Sequence, residues 1–216
     1  PTDMGVNMAG NCIIDDEVCQ EASRQEIIRR YYDSLKRLAD GMGNDQEVFK
    51  LELLMKQAKV SVSDRPVVTA AMDREKVDGM PCAALELTDG RMITGGTSDL
   101  LGAASALLLN ALKSLAGIDH QVKVISPESI SPIQYLKTAY LGSTNPRLHT
   151  DEVLIALSAS AAQNPLARQT LEQLPKLSGC QAHASVILSS VDVRTLKKLG
   201  IQLTQEPRYE DKKLYH

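Results

Sequence analysis

Tryptophan is missing from this 216-residue chain, and phenylalanine occurs once, at Phe49. With aromatics at 3% of residues, a core cannot rest on stacked rings and must be assembled from Leu, Ile, Val, Ala and Met, within a hydrophobic content of 43%. That composition suits helices laid closely on a sheet through small Ala and Gly contacts, and the length suffices for one sizeable domain or two small ones. Cysteine is scarce too. Cys12, Cys19, Cys82 and Cys180 include no Cys-x-x-Cys pair, which argues against a disulfide scaffold or a zinc ribbon. Neither sign of charge dominates: 24 Lys+Arg are interspersed with 27 Asp+Glu, so there is no electrostatic footprint for nucleic acid or an anionic membrane. The longest apolar run, around residues 107–109 with its Ala neighbours, is far too short to cross a bilayer, and the opening residues do not read as a signal peptide. These absences predict a cytoplasmic globule with reduced thiols and neither nucleic-acid nor membrane partners.

What is present is mostly helical over the first third. Asp15 or Asp16 can cap a helix start. Ser23 with Glu26 then forms a capping-box pattern, after which Ile27, Ile28, Tyr31, Leu35 and Leu38 recur at helical spacing as far as Gly41. Asn44 with Glu47 repeats the device ahead of Val48, Leu51, Leu54, Met55 and Ala58, and a third helix is expected from Asp64 through Pro66 to Val77, closed by Gly79. Residues 1–80 are therefore expected to form a polar loop and a helical part.

From residue 81 the pattern changes. CAALELTDGRMITGG reads as two strands about Asp89-Gly90, a dipeptide that tolerates the positive φ of a tight turn. Thr97 and Ser98 are expected to cap the helix SDLLGAASALLLNALKSLAG, which is apolar nearly all round and hence central. A strand QVKVIS, a Pro-punctuated helix to about Leu141, and the polar loop GSTNPRLHTDE follow. Helices from Thr150 to Gln163 and from Pro165 to Leu174, a strand ASVILSS, a short helix VDVRTLKKLG and a last strand IQLTQEP complete the chain. The prediction for 81–216 is an α/β domain with a mixed sheet of about five strands flanked by helices.

Three stretches could carry chemistry. In ITGGTSDLL, a strand runs through Gly95 and Gly96 into Thr97 and Ser98 at an expected helix start, where unpaired N–H groups and a positive helix end suit an anion. The plain alternative is a chain turn and a helix cap, since the Walker lysine and the Rossmann spacing are both missing; Asp99 would also oppose a phosphate. In STNPRLHTDE, Arg147 and His149 precede another helix start. Arg offers a planar fork for phosphate or carboxylate, and His titrates near neutral pH, which makes His149 the best general acid or base in the chain. Here the alternative is an Asn145-Pro146 turn and a Thr150 cap, with Arg and His merely exposed. The third stretch is the opening one, where Asp3, Asn7 and Asn11 share a small-residue loop with Met4, Val6, Met8, Ile13 and Ile14. Those apolar residues ask to be buried, which predicts an ordered loop around a polar ligand. No residue pattern names a cofactor or a metal.

PTDMGVNMAGNCIIDDEVC, ELTDGRMITGGTSDLLGA, NPRLHTDEVLIALSASAAQNP and EQLPKLSGCQAHASVILS resemble the bacterial family of conserved hypothetical proteins called domain of unknown function 1846, over essentially the whole chain. Its full-length members are considerably longer. The resemblance therefore implies a C-terminal part in which Pro1 is internal. It also implies an upstream α/β domain with a glycine-rich, lysine-containing stretch suggestive of nucleotide or phosphate binding. It implies no reaction. From Asp64 onward the order of elements is also similar to the cytidine-deaminase-like sandwich. The zinc motifs are absent, however: no His-x-Glu or Cys-x-Glu opens the helix at Ser98, and no Pro-Cys-x-x-Cys follows, so zinc-dependent deamination is not expected.

Two functions compete at this level. One is the C-terminal portion of a cytoplasmic bacterial enzyme acting on a small phosphorylated or carboxylated metabolite, with Gly95, Gly96, Thr97, Ser98 and Arg147 holding the anion and His149 moving a proton. The other is a non-catalytic oligomerisation or regulatory module, forming a homo-oligomer and serving the upstream domain of the same chain. Catalysis requires residues 1–12, 95–98 and 143–152 to converge on one cleft, whereas a module would show a broad apolar face.

Overall fold

A computed structural model describes residues 16–210; the expected ligand loop with Asp3, Asn7 and Asn11 lies outside the described residues. Helix α1 (Asp16–Ala39) is continuous. Ser23 does not cap a second helix within it, because its hydroxyl donates back to the Cys19 carbonyl (2.8 Å) and leaves the helix unbroken. Gly41, at φ 73°, turns the chain towards α2 (Asp45–Ala58), whose first turn is capped as expected, Asn44 Oδ1 accepting from the Glu47 amide (2.8 Å). Ile28 and Tyr32 of α1 bury against Met55 of α2 and Val60 and Val68 beyond it. Phe49, Leu53 and Leu54 of α2 stay exposed.

Arg65 leads into α3 (Pro66–Asp78), which Gly79 ends in the left-handed conformation. The hairpin then forms as predicted, with β1 (Cys82–Glu86) antiparallel to β2 (Met92–Gly96) and Gly90 at φ 83° in the turn. Two further strands complete a mixed sheet of order β2-β1-β3-β4: β3 (Gln181–Ala184) is antiparallel to β1, and β4 (Gln202–Gln205) is parallel to β3. Alternation along β1 divides the layers. Ala84 packs with Val67 and Ala71 of α3, whereas Ala83 and Leu85 join the main core with Leu107, Leu108 and Leu112 of α4 (Ala103–Leu115). On the α3 side Arg65, fully buried, donates to Thr204 Oγ1 (3.0 Å) and to the carbonyls of Ala182 (3.2 Å) and Gln202 (2.7 Å), tying the parallel pair to the helices. The remaining helices are α5 (Pro127–Tyr135), continued by a π turn over Leu136–Tyr140, then α6 (Thr150–Ser160), α7 (Pro165–Leu171) and α8 (Ser190–Lys198).

Three expectations need correction. The central helix begins at Ala103 with Gly102 as its N-cap, not at Thr97 or Ser98. The Ser98 amide donates to the Leu101 carbonyl (2.9 Å), and Leu101 is held in a parallel bridge with Leu148, so this stretch is a connection that cannot coil early. QVKVIS forms no strand: Val124 and Ile125 satisfy their apolar demand by packing into the main core rather than by pairing. Among the described residues the sheet consequently has four strands, and the deaminase-like order of elements is not confirmed. Finally, β3 stops at Ala184, and residues 185–189 turn away towards the cleft described next. Among the described residues no helix is long and apolar enough to cross a membrane.

Candidate functional site

Residues 145–149 are set by one clamped leucine. Leu148 donates its amide to the Leu100 carbonyl (3.0 Å) and accepts from the Ser105 hydroxyl (2.8 Å), so it is fully inside. Arg147 and His149 flank it. Both line a cleft of about 390 Å³, together with Thr97, the first residues of α4, the loop 186–189, Asp192, and Tyr209 and Glu210. Loops 95–98 and 143–152 thus meet in one place, through Thr97 and through Asn145, Arg147, Leu148 and His149.

Gly95, Gly96 and Ser98 do not line the cleft. Gly95 lies in β2 pressed on α4, where an added Cβ would stand 2.1 Å from the Leu107 amide nitrogen. Its glycine is a packing requirement. At Gly96 a Cβ would meet an Asp78 carboxylate oxygen, and Ser98 is exposed in the connecting turn. Thr97 faces the cleft, but its hydroxyl donates to the Pro81 carbonyl (2.7 Å). With α4 starting at Ala103, the helix-end amides near the cleft belong to Ala103 and Ala104.

Arg147 is buried, contrary to the exposed loop residue of the simpler reading, because Nη1 donates to Glu210 Oε1 at 2.7 Å. Its carbonyl accepts from Lys137 Nζ (2.7 Å), which also contacts Glu152 Oε2 (2.8 Å). His149, rather than Thr150, occupies the N-cap of α6, and its amide donates to Glu152 Oε2 (2.7 Å). The Thr150 amide is satisfied from another helix, donating to Asp192 Oδ1 (2.8 Å).

The other oxygen of Asp192 lies 3.0 Å from His149 Nδ1. Ser189 donates to the same oxygen (2.7 Å) and caps α8 by accepting from the Asp192 amide (3.1 Å). Opposite a carboxylate, Nδ1 carries the proton in the neutral ring, which leaves Nε2, engaged by none of the hydrogen bonds among the described residues, as the basic nitrogen. The hydrogen bond to Asp192 raises the pKa of His149 above its ordinary value, outweighing burial, which acts the other way. Burial alone would raise Asp192, yet the hydrogen bonds from His149 and the Thr150 amide hold its pKa below the usual carboxylate value. A histidine oriented by a carboxylate at a cleft wall can take up or deliver a proton. Ser189 is a support for the carboxylate here, not a nucleophile aligned on Nε2.

The sequence singles out His149 and Arg147, which line the cleft, but not Asp192, Ser189 and Glu210, which line it beside them. Ser189-x-x-Asp192 shows the pattern of a helix cap, and nothing nearby says which histidine the carboxylate will meet. His183 is a core group on the other face of the sheet. It is fully buried, with Nδ1 2.9 Å from Thr204 Oγ1 and Nε2 3.3 Å from Glu206 Oε1 without the alignment of a hydrogen bond. Cys19, Cys82 and Cys180 are free thiols, and among the described residues no three His, Cys, Asp or Glu side chains gather as metal ligands.

Comparison with known proteins places this architecture. The family model described as domain of unknown function DUF1846, C-terminal, matches residues 63–215, and its N-terminal counterpart matches residues 1–59. The chain is 54% identical over 218 residues to the UPF0371 protein of Corynebacterium glutamicum, covering 100% of the chain and 43% of that protein. To a UPF0371 protein of Corynebacterium efficiens it is 54% identical over 215 residues, again covering 100% of the chain and 43% of the relative. To one of Streptococcus thermophilus it is 47% identical over 215 residues, covering 100% and 44%. The chain spans less than half the length of these relatives. Matched end to end by the two halves of one family description, it belongs to the bacterial DUF1846 family.

Proposed function

We propose that the cleft is the acid–base site of a cytoplasmic bacterial enzyme that transforms a small phosphorylated or carboxylated metabolite. The observation that carries this reading is the Asp192–His149 pair, 3.0 Å apart at the wall of a 390 Å³ cleft, where the carboxylate fixes the ring and Nε2 exchanges the proton. Two features support an anionic ligand. Arg147 already receives a carboxylate, that of Glu210, within the cleft lining, and the first-turn amides of α4 border the same space. Gly95, Gly96 and Ser98 are dropped from this role.

The test is a thermal-shift screen of the full-length protein against phosphorylated and carboxylated metabolites, followed by turnover assays on any stabilising compound. His149→Ala should leave binding nearly intact and cut turnover by about a hundredfold or more, with Asp192→Asn showing a similar loss. Unchanged turnover in both variants would sink the reading.

A second reading, a module that forms homo-oligomers or seats the upstream domain, is favoured by one observation. Tyr135, Leu136, Tyr140 and Leu141 are all exposed at the end of α5, the kind of apolar cluster that marks contact surfaces.

A further inference from the structure

A second cavity, of about 290 Å³, lies across the Leu101–Leu148 bridge from the His149 cleft, beneath residues 120–125. Its walls are apolar, formed by Leu109, Val124, Ile125, Ile130 and Leu148 among others. The polar groups in its lining are Lys113, His120, Gln121 and Lys123, and no aspartate or glutamate is among them. Lys113 is the unusual member. It is 5% exposed, and its Nζ donates to the His120 carbonyl at 2.5 Å. Among the described residues it forms no ion pair. Asp119, the acid nearest in effect, accepts from the Gln121 amide (2.7 Å).

An ammonium has three donors, and one neutral acceptor leaves it under-compensated when it is buried. A purely structural role would have been served as well by Met or Leu, which fill such space without that cost. We propose that this cavity binds a small monocarboxylate with a short apolar tail, its carboxylate seated on Lys113 and its tail on Leu109, Ile125, Ile130 and Leu148. The carboxylate supplies the missing countercharge and charge-assisted hydrogen bonds. At about 290 Å³ the cavity falls just below the ~300–1,000 Å³ range of ligand pockets, which restricts the tail to a few carbons. A dianionic phosphate is disfavoured, because Lys113 is the one buried cation of the lining, His120, Gln121 and Lys123 being exposed at its rim, and the buried walls are hydrocarbon. The covering segment belongs to no sheet; the Val122 amide bonds within its own turn, to the Asp119 carbonyl, so admitting a ligand breaks no strand pairing. The proposal is independent of the acid–base reading, since it uses a different cavity and a different charge.

Hexanoate is the probe and 1-hexanol its neutral control, each titrated into the full-length protein with methyl labels on leucine and isoleucine. Hexanoate should shift the Leu109, Ile125 and Leu148 methyl signals saturably, 1-hexanol should bind at least about tenfold more weakly, and Lys113→Met should weaken hexanoate by about tenfold or more without lowering Tm. No shift with hexanoate, equal binding of the alcohol, or equal binding by Lys113→Met overturns the proposal. Should the variant fail to fold, the comparison of hexanoate with 1-hexanol on the unmodified protein decides the matter.

Discussion

Asp192 and His149 stand 43 residues apart in the chain, yet the carboxylate Oδ2 lies 3.0 Å from imidazole Nδ1 while Oδ1 accepts the Thr150 amide. One side chain of α8 therefore fixes both the ring and the first turn of the helix that carries it. The ring cannot rotate away without the carboxylate losing a partner.

Removing that carboxylate should show in the titration of the ring. Asp192→Asn is expected to lower the His149 pKa, read from its imidazole resonances against pH. The linkage has a definite sign. The His149 pKa is raised in the folded state, so its stabilisation is complete below the ordinary value of 6.5 and fades as the pH climbs through the raised folded value. Asp192 is lowered, so its share is present above 3.8 and is lost as acid reaches the depressed folded value. The pair stabilises most between roughly pH 4 and 6.5, and a denaturation series across that window should show the wild type gaining most over Asp192→Asn there.

His183 has the opposite sign. Burial, the dominant influence, holds its pKa below 6.5 despite the nearby Glu206, so the unfolded chain binds this proton more readily than the folded one. Stability should fall as the pH drops below 6.5 towards the depressed value. His183→Gln, which keeps a polar atom for Thr204, is expected to flatten that limb in denaturant midpoints measured against pH. An unchanged slope would show that another group carries the acid sensitivity.

Arg147→Ala should destabilise by on the order of 3 kcal/mol, the scale for breaking a buried ion pair and stranding its carboxylate. Arg147 and Glu210 side chains are 8% and 19% exposed, far from the exposed loop that the sequence suggests. Adding Glu210→Ala should recover part of the loss, and a double-mutant cycle by urea denaturation measures the coupling.

Two glycines should separate cleanly. Gly95→Ala drives a methyl into the backbone of Leu107, and the expected cost exceeds about 3 kcal/mol or prevents folding. Gly90→Ala meets nothing within 4 Å but must hold φ at 83°, which costs about 1–2 kcal/mol. Equal denaturation midpoints for the two variants would contradict this account.

What the sequence made legible was local. Asn44 and Glu47, Gly79, and the Asp89-Gly90 turn each act on neighbours within a few residues, and each appears where expected. Ser23 and Ser98 carry the same signal and fail, because a local hydrogen bond competes in one case and the distant Leu148 captures the adjoining Leu101 in the other. QVKVIS has the alternation of a strand, but alternation reports burial on one side, not the presence of a pairing edge. His149 and Arg147 could be named from residue chemistry. Their carboxylate partners could not, since Asp192 and Glu210 arrive 43 and 63 residues later in the chain.

The order of the sheet also constrains how the chain can acquire it. The β1–β2 hairpin closes over a handful of residues, whereas β1 meets β3 only after a long excursion: the Cys82 amide finds the Ser185 hydroxyl 103 residues along the chain. Loop closure of that length delays the central pairing relative to the hairpin. During synthesis, β1 therefore waits with one edge unpaired, the condition in which a strand can pair with a neighbouring nascent chain. Because Asp192 is made after β3, a chain stalled before that point has a complete hairpin and a histidine with no carboxylate beside it. The Asp192–His149 contact is thus a late acquisition of the chain, available only once the segment beyond β3 has been made.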